Sequence, residues 1–340
     1  MARPELNILI TCANRRVALI DAFRRALDLA GAAGRVIAVE ATAASPTYYL
    51  ADEGVILPLV KDPAFLPAML EAARRYAPCV IVPVTDLDIP LLAAHTEQFR
   101  AVGATPAVGS AQAVALCRDK TRMGELLVRA GLEDLPSLGL EAFEAGPFFP
   151  CFVKPADGSA GIGAAVIRDR AQLDVHLGRF GRGVVIQEWV EGQEFTIDVY
   201  RTRAGQVRCV VPRQRLAVRS GEVEKGVTRL DRRLVDDTVK LASACEGLWG
   251  VFCCQCRRAH ESAPPRFFEI NPRFGGGCLL SIRAGANLPL YLVQDVLGLE
   301  VTARLGEFTD RLLMLRYDEA AYVQVDDAAR LPGFDTPTFR

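Results

Sequence analysis

GVFCCQC (Gly250–Cys256) and RFFEINPRFGGG (Arg266–Gly277) decide how this chain is read, because a nine-residue polar turn from Arg257 to Pro265 joins two strand-like runs. Taken as an antiparallel hairpin with period two, Val251, Cys253 and Gln255 share one face with Phe267, Glu269 and Asn271. Phe252, Cys254, Cys256, Phe268 and Ile270 then form an unbroken apolar surface suited to a core. Gln255, Glu269 and Asn271 all offer oxygen ligands, the donor type that magnesium prefers. Arg273, two residues beyond Asn271, points to the same place and can stabilise charge on a transferring phosphoryl group. Gly275 and Gly276 in the following glycine run permit close backbone approach to a ligand, with a simple turn as the alternative. Cys253, Cys254 and Cys256 lack a C-x-x-C pair and a companion cluster, so they read as buried strand rather than as a zinc or redox site.

Upstream of the hairpin, VVPRQRLAVRSGEVEKGVT carries Arg213, Arg215 and Arg219. Strand geometry projects Arg213 and Arg215 together, as clamps for a carboxylate or phosphate; solvated cations on an exposed strand are the alternative. Further upstream, VVIQEWVEGQEFTIDVY places a hinge at Glu188, Trp189 and Val190 ahead of a strand entered by Glu194. Extended backbone there offers amide and carbonyl groups to an adenine edge, and the Glu194 carboxylate can accept from ribose hydroxyls. In FVKPADGSAGIGAAVI, Lys154 ends a strand and Gly158, Ser159, Gly161 and Gly163 belong to a loop before another apolar run. Such a loop brings backbone N–H groups close to phosphate oxygens, yet it joins two strands as a hairpin flap and does not open a helix, so it is not a P-loop.

The N-terminal part alternates apolar runs with amphipathic stretches: ILIT, a helix over about 18–29, RVIAVE, a helix over about 67–76, and VIVPV. That is the pattern of a doubly wound parallel sheet. The turn after the first run, Thr11 to Arg16, has no glycine, so the dinucleotide fingerprint is absent. Asp86 and Asp88 follow VIVPV at a strand's carboxyl end, where they face a cleft or cap a helix.

At 340 residues, with 50% hydrophobic and 24% charged residues, the chain has material for two or three compact units. The divisions fall at 1–110 for the parallel α/β unit, 111–190 for an α+β unit with the flap, 191–324 for a second α+β unit with the hairpin, and 325–340 for an irregular tail. A net charge of −1 gives no reason to expect nucleic acid as partner, and no apolar run approaches the roughly 18 residues of a membrane helix. With no signal-peptide layout, the expectation is a cytoplasmic protein whose ten cysteines stay reduced.

Lys120 in RDKTRM, Lys154 before the flap, the Glu188–Glu194 hinge and Gln255 with Glu269-Ile270-Asn271-Pro272-Arg273 together resemble the ATP-grasp superfamily. The likeness is greatest to synthetase domains of the carbamoyl phosphate synthetase large subunit and to amino-acid ligases, and it spans about residues 5–300, including a pre-ATP-grasp domain. The resemblance implies that Lys120 and Lys154 bind ATP phosphates, Glu188 and Val190 the adenine, and Glu194 the ribose. It implies two magnesium (or manganese) ions at Gln255, Glu269 and Asn271, with Lys154 and Arg273 catalytic. Gln255 stands where many members have glutamate, as in the carbamoyl phosphate synthetase branch. The implied activity is ADP-forming ligation of a small carboxylic acid, an amino acid among the candidates, to an amine through an acyl phosphate. The alternatives are phosphorylation of bicarbonate or carbamate, and a catalytically silent nucleotide-binding module. A homodimer is compatible with this reading.

Overall fold

The computed structural model describes residues 3–156, 162–219, 221–326 and 331. The flap residues Gly158, Ser159 and Gly161, and all of the expected tail except Val325, Asp326 and Leu331, lie outside the described residues.

Strands β1 (Asn7–Thr11), β2 (Val36–Glu40), β3 (Glu53–Ile56), β4 (Cys79–Pro83) and β5 (Ala104–Pro106) form a parallel sheet in the order β3-β2-β1-β4-β5. Helices α1 (Val17–Leu29), α2 (Pro46–Leu50), α3 (Phe65–Arg75), α4 (Ile89–Ala94) and α5 (Thr96–Ala101) connect them. Near-continuous apolar strands such as Val36–Glu40, buried at every position, are what a sheet covered on both faces requires. Strand order reverses between β1 and β4, so the crevice beyond their carboxyl ends is where this sheet places ligands. β3 and β5, of four and three residues, are too short to stand out as periodic segments.

Helices α6 (Ala111–Arg118) and α7 (Met123–Arg129) follow. Ser110 caps α6 by accepting from the amide of Ala113. The Asp119 side chain bonds Thr121 and breaks the helical path between α6 and α7, so the second helix opens at Met123. A small antiparallel sheet comes next, built from β6 (Leu138–Gly139), β7 (Cys151–Pro155), β8 (Ala165–Ile167) and β9 (Val184–Glu188) in the order β6-β9-β7-β8. Helices α8 (Leu140–Glu144) and α9 (Arg170–Phe180) close its core around Phe143, Val153, Leu173 and Ile186.

The remaining strands β10 (Gln193–Arg201), β11 (Val207–Arg219), β12 (Glu222–Thr228), β13 (Gly250–Arg258), β14 (Arg266–Asn271) and β15 (Leu313–Leu315) form a six-stranded antiparallel sheet, ordered β14-β13-β10-β11-β12-β15. Helix α10 (Arg232–Ala244), whose cap Asp231 accepts from the amide of Leu234, packs Leu234 and Leu241 against Phe195, Phe252 and Cys254. Helices α11 (Cys278–Arg283) and α12 (Leu288–Val296) cover the other side. Phe23 of α1, Phe274, Leu292 of α12 and Tyr200 of β10 belong to one buried cluster, so the parallel domain and the large antiparallel domain share a core. Burying each such side chain contributes about 1.5–3 kcal/mol, which sets the two domains' relation before any polar contact is made.

Candidate active site

The antiparallel ladder sets the polar groups of the large sheet in two rows. Arg213, Thr196, Gln255 and Glu269 are Cα partners on successive strands β11, β10, β13 and β14; Asp198, Cys253 and Asn271 form the neighbouring row. With the Gln255 amide oriented to satisfy both of its groups, its nitrogen donates to Glu269 Oε2 at 2.7 Å and its oxygen accepts from Arg215 Nη1 at 3.2 Å. Asn271 is 9% exposed at the end of β14. These residues offer a neutral, a charged and a neutral oxygen donor beside each other, a set that fits magnesium completed by water and nucleotide phosphates.

One expectation for the hairpin is overturned. Gln255 pairs with Glu269 but Cys256 pairs with Phe267, so β14 bulges and carries one extra residue, Phe268. The bulge reverses the alternation: Phe267 is fully buried beside Cys254 and Cys256, whereas Phe268 turns onto the cleft face. Its ring lies 5.9 Å from Lys154 Nζ, a cation–aromatic contact that docks the small sheet on β14. Lys154 is 9% exposed, and burial lowers its pKa below the usual lysine range, with Glu269 pulling the other way. Lys120 Nζ donates to the carbonyls of Pro155 and Ala156, so both lysines gather at the root of the flap. Gly163, at φ +71° on the far side of the flap, has only glycine-like room against Pro155 and Phe180.

At the hinge, Glu188 is exposed with Arg266 Nη2 at 3.6 Å, and Trp189 stacks on Phe152 with ring centroids 5.9 Å apart. Glu194 lies between two arginines, 3.1 Å from Arg215 Nε and 2.8 Å from Arg257 Nη1. Arg257 also donates to the carbonyls of Val190 and Gly192, and its guanidinium covers the Trp189 ring. Arg257, expected in the turn, instead continues β13, on the same face as Gln255 and paired across the ladder with Glu194.

The arginines expected as substrate clamps separate. Arg213 is 1% exposed, with Nε and Nη2 both donating to Asp198, so it is packed inside the domain rather than turned to a ligand. Arg215 reaches Gln255, while Arg219 is exposed and ion-paired with Glu224 and Asp318. The glycine run likewise serves packing: a side chain on Gly275 would meet Cys253, Arg213 and Asp198, and one on Gly276 would meet Glu222 at 2.8 Å. At both glycines the Cβ direction is taken up by protein groups.

From the parallel domain, Asp86 takes Arg273 in a bidentate pair, Nε at 2.9 Å and Nη2 at 2.7 Å, and does not cap a helix. Asp88 occupies the cap position of α4 without a side-chain capping bond; it is fully buried, accepts from Thr11 Oγ1, and burial pushes its pKa up to about 6. The turn after β1 holds Cys12 and Asn14 at positive φ, braced by Glu40, which accepts from the Asn14 amide at 2.8 Å and from Thr47. That turn sends Arg16 across to the Phe274 carbonyl at 3.1 Å and to Glu222 at 3.6 Å. Two arginine contacts therefore cross the domain boundary in opposite directions, and a conserved spacing within one segment could not have revealed either.

Residues 181–318 match the family model described as ATP-grasp in the biosynthetic pathway with Ter operon. Residues 8–107 match that of the PylC-like N-terminal domain. Over 183 residues the chain is 29% identical to a formate-dependent phosphoribosylglycinamide formyltransferase of Bordetella avium (strain 197N), covering 50% of this chain and 44% of that relative. The chain thus spans less than half the length of that curated relative. In fold it is similar to an ADP complex of N5-carboxyaminoimidazole ribonucleotide synthetase, with TM-score 0.71 and 16% identity, covering 93% of this chain and 82% of that one. It is also similar to an L-amino acid ligase from Bacillus licheniformis, with TM-score 0.67 and 18% identity, covering 91% and 78%. No helix among the described residues is long and apolar enough to cross a membrane.

Proposed function

Since the chain is an ATP-grasp protein with a PylC-like N-terminal domain, we propose that it is an ADP-forming ligase that joins a small carboxylic acid to an amine. The observation that carries this reading is the meeting of Lys154 with Phe268 beside Gln255, Glu269 and Asn271, with Arg273 two residues beyond the end of the same strand. In the reaction, a substrate carboxylate oxygen attacks the γ-phosphorus of ATP, ADP leaves, and the amine then displaces phosphate from the acyl phosphate.

Gln255, Glu269 and Asn271 are the residues that would hold magnesium, which when bound neutralises phosphate charge and orients the transferring group. Lys154, held in a buried setting, contributes a positive charge that water screens poorly. Lys120 adds a second cation at the flap root, and Arg273 answers the charge that develops on the phosphoryl oxygens. The hinge backbone at Glu188 and Val190 and the Glu194 carboxylate are the proposed contacts of adenine and ribose. No nucleophilic side chain is needed, because the work is positioning and electrostatics. An amino acid is among the proposed acids.

The test is ADP release from ATP and magnesium across a matrix of amino acids and other small acids against amines, with bicarbonate as one of the acids. ADP that depends on one acid and one amine supports the reading. ADP that depends on bicarbonate alone supports the carbamoyl phosphate type of chemistry instead, and no ADP with any pair overturns both.

A further inference from the structure

The contacts of Arg273 fall into two kinds. On one edge, Nε and Nη2 donate to the two oxygens of Asp86 at 2.9 and 2.7 Å, the fork geometry of a strong charge-assisted pair. On the side facing the metal-ligand strand, Nη1 reaches the Phe274 carbonyl at 3.3 Å and Nη2 reaches Asn271 Oδ1 at 3.4 Å. Bonds that long are weak, so they yield to a phosphoryl oxygen while the Asp86 edge stays in place.

We propose that Asp86 is a positioning residue, through which the PylC-like domain holds the Arg273 guanidinium against the transferring phosphoryl group; this rests on the ligase reading above. Three observations argue for it. The first is charge: Arg273 lies two residues from Asn271, and metal ions there would repel a guanidinium. Glu269 is the single formal anion among the three ligands, and Asp86 sets a second carboxylate against Arg273 that offsets this repulsion before and after the nucleotide phosphates arrive. The second is anchoring. The Asp86 carbonyl accepts from Arg118 Nη1 at 2.7 Å, and Arg118 ends α6 two residues before Lys120, so the carboxylate stands on backbone tied to the phosphate-binding side. The third is that α4 does not use Asp86, since its cap position is Asp88. The partly buried pair, with side chains 18% and 29% exposed, therefore has its weight at the cleft rather than in the helix.

Asp86→Asn keeps the shape and removes the charge. In an enzyme releasing ADP, kcat should fall about 30- to 100-fold with KM for magnesium·ATP within about twofold, the pattern of an interaction made in the transition state. Asp86→Glu should recover part of the rate, and it replaces the amide variant if that one does not fold. A second readout does not need turnover: aluminium fluoride should tighten binding of magnesium·ADP by mimicking the phosphoryl group, and Asp86→Asn should lose that increment while keeping the affinity for magnesium·ADP. Parental kcat in Asp86→Asn, or an undiminished fluoride increment, overturns the positioning role and leaves the ligase reading standing. If the unmodified protein releases no ADP, the ligase reading falls; should it also lack the fluoride increment, the positioning role falls with it.

Discussion

The Arg257 guanidinium lies over the Trp189 indole, 4.1 Å from the ring centroid, while its Nε donates to the Val190 carbonyl at 2.7 Å. One side chain from β13 therefore sets the shape of the hinge that connects the small and large sheets. The Val190 carbonyl is engaged by protein, so an adenine would use the remaining backbone groups of the hinge. Arg257→Ala removes the cation–aromatic contact and the bonds to Val190, Gly192 and Glu194. We expect KM for ATP to rise about tenfold with kcat nearly unchanged, as for loss of about 1.4 kcal/mol of uniform binding. Steady-state kinetics at saturating acid and amine check this; a fall in kcat with constant KM would contradict it.

Glu269→Gln removes the one formal charge among Gln255, Glu269 and Asn271 while keeping size. The altered group faces the cleft and the buried neighbours Phe267 and Ile270 are untouched. ADP formation should drop by at least about a hundredfold, equivalent to a few kcal/mol of transition-state stabilisation, with an unchanged melting temperature. A variant that turns over at the parental rate in limiting magnesium would show the strand pair to be purely structural.

Asp88 bears on pH. Burial raises its folded-state pKa from 3.8 to about 6, so the folded protein holds a proton there that the unfolded chain has already released. Its contribution to stability is thus greatest below the unfolded pKa and is lost as pH rises to about 6. Over that interval the loss amounts to about 3 kcal/mol at most. Asp88→Asn, which carries no charge at any pH, should melt higher than the parent at pH 8, and the advantage should vanish near pH 4. Melting curves at both values decide the matter, with the parallel domain as the origin of the effect.

Gly277 tests the packing of the glycine run. A Cβ there would stand 2.3 Å from Val223 Cγ1 and 2.4 Å from Arg213 Nη1, against groups that are themselves buried. Gly277→Ala should cost about 1–3 kcal/mol by overpacking. Gly178→Ala, in the last turn of α9 with open space around it, should instead stabilise by about 0.5–1 kcal/mol. Denaturant unfolding of the two variants would give shifts of opposite sign.

Much of the fold was legible because it is local. Apolar runs marked β1, β2 and β4, the two strand-like runs of the hairpin marked β13 and β14, and amphipathic spacing marked α1 and α3 to within a few residues. The caps Ser110 and Asp169 each serve their own helix, contacts that span only a few residues of sequence. Short strands such as β15, with three residues, carry too little pattern to be recognised alone.

By itself, the sequence determined which residues carry oxygen ligands and cations, and the spacing that sets Gln255, Glu269 and Asn271 on two strands. Tertiary structure alone decided which of them face the cleft. The bulge that exchanges Phe267 for Phe268 exists only because two strands pair, so no period counted along one strand contains it. Arg213 and Arg215 look equivalent in sequence, yet Asp198 on the neighbouring strand draws one inward and Glu194 draws the other to the cleft. Asp86 and Arg273 are 187 residues apart, and they meet because a shared apolar core brings two domains together. Pairing of charges follows that packing: hydrophobic burial fixes the approach, and the guanidinium then takes the carboxylate within its reach.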